Sequence, residues 1–205
     1  MKVILLNGSP KSKGCTYTAL KIIENELINE GIEVKFYEVG NKPVIGCIGC
    51  NACRKLGKCV HDDLVNEVSK EMESADGFIV GSPVHYAAAS GAATSFLDRL
   101  FYSTDKNQLR HKFGASIVSC RRGGASATFD QLNKYFTINE MPIVSSVYWN
   151  QIHGNTPEEV VQDLEGVRTM KVLARNMAYL IKCKEAAKNV PLPKLVPVER
   201  TNFIR

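Results

Sequence analysis

The sequence predicts an α/β domain with a parallel, doubly wound sheet of five strands and helices on both faces. Short continuous apolar runs, typical of strands covered on both faces, alternate along the chain with segments of helical periodicity. Strands separated by helices require right-handed crossovers, which place the helices on the faces of a parallel sheet. The predicted strands cover residues 3–6, 34–37, 78–80, 113–118 and 143–149.

The helices are predicted from apolar residues spaced three and four apart. Leu20, Ile23 and Leu27 mark the first helix, and Gly31 stands where a helix would end. The same spacing predicts helices around 65–72 (with Asp62 or Asp63 as its cap), over 90–102, through 129–132 and over 170–180.

A chain of 205 residues is long enough for one domain with a full hydrophobic core. We assign residues 1–184 to this domain, with residues 41–63 as an inserted loop rich in glycine and cysteine. Residues 185–205 contain three prolines and are expected to form an extended tail that wraps a neighbouring subunit. The polar loop 103–111 also exceeds what a five-stranded core requires, so both segments predict a homo-oligomer.

Composition excludes several classes of protein. Apolar residues make up 44% and charged residues 23%, which is ordinary for a soluble globular domain. The net charge of +5 is mild, and no basic run is dense enough for a nucleic-acid-binding arm. No stretch approaches the roughly 18 apolar residues of a membrane span, and the run 3–6 is too short for a signal peptide. We therefore expect a cytoplasmic protein that binds neither nucleic acid nor membranes.

The segment between the first strand and the first helix has the features of an anion-binding loop. It reads Asn-Gly-Ser-Pro-Lys-Ser-Lys-Gly-Cys-Thr over residues 7–16. Backbone amides at a helix start bind anions, and this loop adds hydroxyl and ammonium groups. It is neither a Walker loop nor the Gly-x-Gly-x-x-Gly dinucleotide fingerprint. The alternative is a Ser/Gly-rich turn that merely connects strand to helix.

Four of the seven cysteines lie within thirteen residues, at the spacing Cys47-x2-Cys50-x2-Cys53-x5-Cys59. In a cytosolic protein such crowding indicates metal or redox chemistry more than disulfides. Four thiolates can hold an iron–sulfur cluster or a zinc ion, and a metal-free thiol loop stays open as a third interpretation. The other three cysteines are isolated, and we interpret each as a small apolar core residue.

Taken together, four motifs resemble the NADPH-dependent FMN reductase branch of the flavodoxin-like superfamily, which includes the iron–sulfur flavoproteins. The motifs are Gly8-Ser9-Pro10 with Thr16, the cysteine loop ending in Val60-His61-Asp62-Asp63, Gly81-Ser82-Pro83-Val84, and Arg121-Arg122-Gly123-Gly124. The resemblance extends from Met1 to about Leu180. It implies a flavodoxin-like fold with FMN at the carboxyl edge of the sheet, where such sheets bind ligands.

The resemblance also implies roles for individual residues. The first loop would hold the FMN phosphate, although the family commonly has Asn where this chain has Cys15, and a thiol is a weaker hydrogen-bonding group. The residues implied for FMN are Ser9, Lys11, Gly14, Cys15, Thr16, Ser82, Pro83, Val84, His85, Tyr86, Ser119, Arg121, Gly123 and Gly124. Those implied for a four-iron cluster are Cys47, Cys50, Cys53 and Cys59.

Two of these assignments have an open alternative. Pro83 and Val84 would lie along the isoalloxazine ring, where His85 is either a ring-edge contact or a weak candidate for a catalytic proton donor. Arg121 or Arg122 would stabilise the anionic reduced flavin near N1, or the two arginines are simply solvated.

The function expected from the resemblance is an FMN-dependent oxidoreductase. It would pass electrons from NAD(P)H or a ferredoxin-like protein donor through FMN to a small-molecule acceptor, as a homodimer or homotetramer. The segment 149–154 would pack on a neighbouring subunit's flavin. The alternatives are a non-enzymatic electron carrier like flavodoxin, a metal-free NADPH-dependent FMN or quinone reductase, and a flavin-free redox-sensing or metal-binding scaffold.

Overall fold

The computed structural model of the chain describes residues 1–197 and Thr201. Its strands are β1 (Lys2–Asn7), β2 (Glu33–Glu38), β3 (Gly77–His85), β4 (Ala88–Ala89), β5 (Phe113–Cys120) and β6 (Gln151–His153). Its helices are α1 (Cys15–Asn29), α2 (Cys53–Leu56), α3 (Leu64–Glu71), α4 (Gly91–Ser103), α5 (Lys106–Leu109), α6 (Ala125–Thr137), α7 (Pro157–Val160) and α8 (Leu164–Ala186).

Five of the strands form one parallel sheet in the order β2-β1-β3-β5-β6. The two-residue strand β4 turns back antiparallel onto the end of β3. Omitting β4, this is the flavodoxin-like order 2-1-3-4-5, whose reversal point lies between β1 and β3. The predicted fold class is confirmed.

The two faces of the sheet bury two separate apolar clusters, because successive side chains of a strand point to opposite faces. Val3 and Leu5 of β1 pack against α1 and α8. Ile4 and Leu6 pack on the other face, among residues of α3, α4 and α6. Burying each of these side chains is worth about 1.5–3 kcal/mol, so the continuous apolar run of β1 stabilises both layers at once. Helices on both faces were predicted and are confirmed.

The fifth parallel strand is not where the sequence predicted it. Residues 143–149 make only a single bridge, between Gly114 and Ile143, and the strand is β6 at Gln151–His153. The Ser146 hydroxyl bonds locally to the backbone of Tyr148 and to Asn150, and this competes with strand pairing. Val147, Tyr148 and Trp149 are consequently exposed rather than buried in the sheet.

Aspartate side chains cap the N-termini of three helices. Asp63 accepts a hydrogen bond from the Val65 amide and begins α3, as one of the two predicted caps. Asp105 begins α5, a short helix inside the segment that was predicted as a polar loop. Asp163 begins α8, which therefore starts earlier than the predicted 170–180 and ends at Ala186. Within the described part of the chain, no helix is both long enough and apolar enough to cross a bilayer.

The C-terminal segment 191–197 is exposed and has no regular secondary structure. The predicted tail was to begin at residue 185, but α8 continues to Ala186, so the first two residues of that segment are helical. Residues 198–200 and 202–205 lie outside the described part of the chain.

Candidate flavin and cysteine sites

Three loops meet at the carboxyl edge of the sheet, which we call the flavin edge: residues 8–16 after β1, 82–90 around the end of β3, and 119–124 after β5. Parallel pairing brings their strands into adjacent positions. The sheet order thus assembles three segments that are far apart in sequence.

The first loop is held by the backbone and side chains of its neighbours. The Gly8 amide donates to the Gly81 carbonyl at 2.8 Å, and the Ser90 hydroxyl donates to the Gly8 carbonyl at 2.6 Å. A Cβ atom on Gly8 would lie 2.7 Å from the Cβ of Ala93, so the close approach of loop and α4 requires glycine. The Ser9 hydroxyl accepts from the Lys11 amide, which tightens the turn.

Helix α1 begins directly after this loop, and among the described residues its N-terminus has no side-chain cap. Its N-cap is Gly14, and no side chain in the described part of the chain hydrogen-bonds to the helix start. The first-turn amides, with the partial positive charge of the helix end, are therefore available to an anion. Lys11 and Lys13 are exposed beside them.

Two buried hydroxyls link the first loop to the third. Thr16 Oγ1 and Ser119 Oγ lie 2.7 Å apart, and their residues are only 1% and 3% exposed. Each is predicted as an FMN contact, and the structure brings both together. The hydrogen bond fixes the end of β5 relative to the start of α1.

Cys15 faces away from the helix start. Its thiol donates to the Gly154 carbonyl, with sulfur and oxygen 3.6 Å apart, and Gly154 in turn follows β6. Burial raises the pKa of the Cys15 thiol, although the backbone and the nearby Lys11 oppose the shift. This side chain therefore ties α1 to the β6 loop, and only its backbone amide remains for an anion.

The second loop is a tight hairpin that carries the predicted ring contacts. Pro83 and Val84 are half-buried, while His85 and Tyr86 are exposed. Tyr86 and Ala87 both adopt positive φ, 51° and 58°, as a two-residue hairpin turn requires. Such non-glycine residues cost about 1–3 kcal/mol each, and strain of this kind clusters at functional sites.

Ser82, one of the residues predicted to contact FMN, is buried, and its hydroxyl forms hydrogen bonds inside the protein. Its hydroxyl accepts from the Ser90 amide at 3.0 Å and donates to the Pro83 carbonyl at 2.9 Å. The hairpin is also anchored by Gln131, whose side-chain oxygen accepts from the Ala89 amide. The sequence does not reveal the role of Gln131 or the strand β4, because a polar residue on an amphipathic helix carries no sign of such a contact.

The third loop packs beneath this hairpin. Gly124 has φ of 89°, and an added Cβ would lie 2.8 Å from the Cα of Ala87 and 2.9 Å from Val84. Glycine is therefore required at the point where the two loops touch. Arg121, Arg122 and Gly123 are exposed, so both guanidinium groups are free to face a ligand or solvent.

A Cys–His contact near the flavin edge was not predicted. Cys120 Sγ lies 3.4 Å from His153 Nδ1, between the ends of β5 and β6. Burial raises the pKa of the Cys120 thiol, which favours its protonated form. The contact packs the strand ends together.

The four clustered cysteines line one small pocket of about 20 Å³, which we call the cysteine pocket. Cys59 is buried, Cys53 is half-buried, and Cys47 and Cys50 are exposed. Nothing in the described residues places three or more His, Cys, Asp or Glu side chains around a common metal position. Holding a cluster therefore requires the loop to rearrange, because a volume of about 20 Å³ has room for only about one water molecule.

Other features of the cysteine pocket fit such a group. Ser103 Oγ and His61 Nε2 are buried atoms on its wall that have no hydrogen-bond partner among the described residues. Buried polar atoms are normally paired, so these two call for a ligand or water in the pocket. Four thiols, two unused polar atoms and a buried guanidinium form a donor set suited to an iron–sulfur cluster.

Comparison with known proteins agrees with this architecture. Residues 1–156 match the family described as NADPH-dependent FMN reductase. An iron–sulfur flavoprotein of Methanocaldococcus jannaschii is 34% identical over 189 residues, covering 89% of this chain and 98% of that protein.

Two solved structures show the same fold. A flavodoxin from the Archaea superposes with a TM-score of 0.61 at 16% identity, over 89% of this chain and 99% of its own. RosB, solved with 8-demethyl-8-formylriboflavin 5′-phosphate, gives 0.70 at 15% identity, over 100% of this chain and 92% of its own. At these identities the likeness establishes the fold alone.

Proposed function

The chain belongs to the family of NADPH-dependent FMN reductases, and from this premise we propose that it transfers electrons from NAD(P)H, or from a reduced ferredoxin-like protein, through FMN to a small-molecule acceptor. The observation that carries the proposal is the convergence of three loops around an uncapped helix start at the carboxyl edge of the sheet. FMN, once bound there, supplies the redox chemistry because it accepts one or two electrons.

The residues of this chain would bind and orient the cofactor. The amides at the start of α1, with Lys11, would hold the phosphate. Pro83 and Val84 would lie along the ring, with His85 at its edge. The exposed Arg121 or Arg122 would place positive charge near N1, which favours the anionic reduced flavin.

The test is anaerobic reduction of the FMN-loaded protein. We expect NADPH or NADH to bleach the flavin absorbance, and added quinone to restore it over many turnovers. Bleaching by a reduced ferredoxin alone would identify a protein donor. A flavin that is reduced only once, with no turnover by any acceptor, would favour the non-enzymatic carrier.

We further propose that Cys47, Cys50, Cys53 and Cys59 hold a four-iron cluster when the protein is made without oxygen. The shared pocket of the four thiols supports this, and so does the name of the M. jannaschii relative. Anaerobic reconstitution with iron and sulfide, followed by an iron count on wild type and Cys50→Ala, tests it. Near-zero iron in the wild type would favour a plain FMN reductase whose cysteines only shape a loop.

Homo-oligomerisation is proposed from the exposed apolar residues Val147, Tyr148 and Trp149, which lie between the bridge at Ile143 and β6. We expect a second copy of the chain to cover them and to help complete the flavin site. Sedimentation that shows a monomer with full flavin occupancy and full activity would remove this proposal.

A further inference from the structure

Arg99 is a buried cation outside the flavin edge. It lies in the middle of α4, and its side chain is 1% exposed. An ordinary surface helix would turn such a residue to solvent, since a buried charge is costly unless it is paired and fully hydrogen-bonded. The partners of Arg99 therefore indicate what this charge does.

The guanidinium clamps both ends of the cysteine loop to α4. Nη1 and Nη2 bind the two carboxylate oxygens of Asp63 at 2.7 and 2.9 Å. Nη1 also donates to the Ile45 carbonyl at 3.4 Å, and Nη2 donates to the His61 carbonyl at 3.2 Å. Ile45 precedes the first cysteine of the loop and His61 follows the last, so Arg99 bonds both ends of the loop, and Asn66 adds bonds at the second end.

The remaining nitrogen of the guanidinium contacts a cysteine. Arg99 Nε donates to Cys59 Sγ at 3.3 Å, and Cys59 is the one buried thiol of the four. Ser103, one turn further along α4, and His61 present their unpartnered atoms to the same pocket. Hydrogen-bonding groups of Arg99, Ser103 and His61 thus line the pocket together with the four thiols.

We propose that Arg99 is a positioning residue of the cysteine pocket that, together with Ser103 and His61, sets the reduction potential of the cluster held there. The inference rests on the proposed cluster function. Hydrogen bonds to ligand sulfur and nearby positive charge stabilise the more negative, reduced form of an iron–sulfur centre. Arg99 supplies the hydrogen bond to Cys59 Sγ, while its charge is paired with Asp63, and it also holds Cys59 in place as one of the four ligands.

The experiment compares anaerobically reconstituted wild type with Ser103→Ala, Arg99→Lys and the double variant Arg99→Met/Asp63→Asn. The double variant removes the ion pair as a unit, and asparagine still caps α3. Ser116→Ala is the matched control, because Ser116 is a buried serine of β5, away from the cysteine pocket, whose hydroxyl bonds Asn133 of α6. Iron per chain, FMN per chain and the cluster potential are measured on each.

We expect every variant to bind FMN like the wild type. Ser103→Ala should keep its iron but show a lower reduction potential of the cluster. Arg99→Lys should lower the potential further, with a change of at least tenfold in the equilibrium constant for reduction, which is about 59 mV for one electron. The double variant should lose most of its iron, and trypsin should cleave its loop at Arg54, Lys55 or Lys58 at least tenfold faster in the apoprotein. Ser116→Ala should match the wild-type potential.

Iron-loaded Ser103→Ala and Arg99→Lys with the wild-type potential would overturn the inference and leave the proposed cluster intact. A wild type that binds FMN but no iron would overturn both. A purely structural role for Arg99 predicts faster proteolysis with no change in potential, and that result also contradicts the inference.

Discussion

The flavin edge and the cysteine pocket differ in what holds them in place before any ligand binds. At the flavin edge, backbone hydrogen bonds and buried hydroxyls fix loop 8–16 against its neighbours. At the cysteine pocket, Arg99 holds the ends of the loop and Cys59, and Tyr102 bonds Asn51, while the thiols of Cys47 and Cys50 remain exposed. A site made from backbone is preformed by the fold, whereas a site made from thiolates needs its ligand to complete it.

Among the substitutions that test this comparison, Gly124→Ala should cause the largest loss of stability. The added methyl group would meet Ala87 and Val84 at less than 3 Å, on a backbone of positive φ. Left-handed strain of about 1–2 kcal/mol and overpacking of about 1–3 kcal/mol should together lower the free energy of unfolding by about 2–5 kcal/mol. Denaturant unfolding measures the loss, and FMN titration should show weaker binding.

Gly123→Ala is the matched control for this variant. A Cβ atom there meets nothing within 4 Å, and the position does not need positive φ. Its stability should stay within about 0.5 kcal/mol of wild type, as surface substitutions usually do. Equal losses in the two variants would show that the loop adapts, and that the flavin edge is not preformed.

A smaller effect is expected from Thr16→Val. The change keeps the shape but leaves the Ser119 hydroxyl without its partner, which costs about 1–3 kcal/mol for a buried polar group. Adding Ser119→Ala should recover part of that loss, since both partners are then removed. Calorimetry on the four proteins of the cycle measures the coupling, and additive losses would mean that the hydrogen bond contributes nothing to the flavin edge.

The smallest perturbation uses the native thiols of the apoprotein as probes. Cys47 and Cys50 should be alkylated quickly, and Cys15, Cys59 and Cys120 slowly, because they are more buried. Burial raises the pKa of Cys15 and Cys120, so a smaller fraction of each is thiolate at pH 8 than for a free cysteine. Their alkylation rates should therefore continue to rise at pH values where the alkylation rate of a free cysteine no longer changes. Mass spectrometry of the labelled peptides gives each rate. Uniform rates would contradict the contrast between the two sites.

The sequence predicts best the parts of the fold that rest on local pattern. The run at 3–6 is apolar at every position, so its burial on both faces of the sheet was foreseeable. The run at 143–149 is also mostly apolar, yet Ser146 bonds its own neighbours, and apart from the bridge at Ile143 the chain joins the sheet as a strand at Gln151. Whether an apolar run pairs with a strand depends on such local competition, which periodicity does not report.

In the candidate sites, too, the features that follow from local sequence pattern were foreseeable and those that depend on distant contacts were not. The helix start after residues 8–14 was foreseeable because it follows directly from the strand, loop and helix pattern. Arg99 was not, because Asp98-Arg99 within a helix has the pattern of a solvated charged pair. Its burial arises from contacts with Asp63 and Cys59, which are 36 and 40 residues away in sequence.

The most direct test of the account is the affinity of the apoprotein for FMN compared with riboflavin, which lacks the phosphate. If the amides at the start of α1 bind that phosphate, FMN should bind at least about tenfold more tightly, since one charge-assisted hydrogen bond is worth about 1.5–3 kcal/mol. Lys11→Ala should reduce the ratio between the affinities for FMN and for riboflavin. Equal affinities for the two flavins would contradict the central claim that the loop after β1 recognises a phosphate.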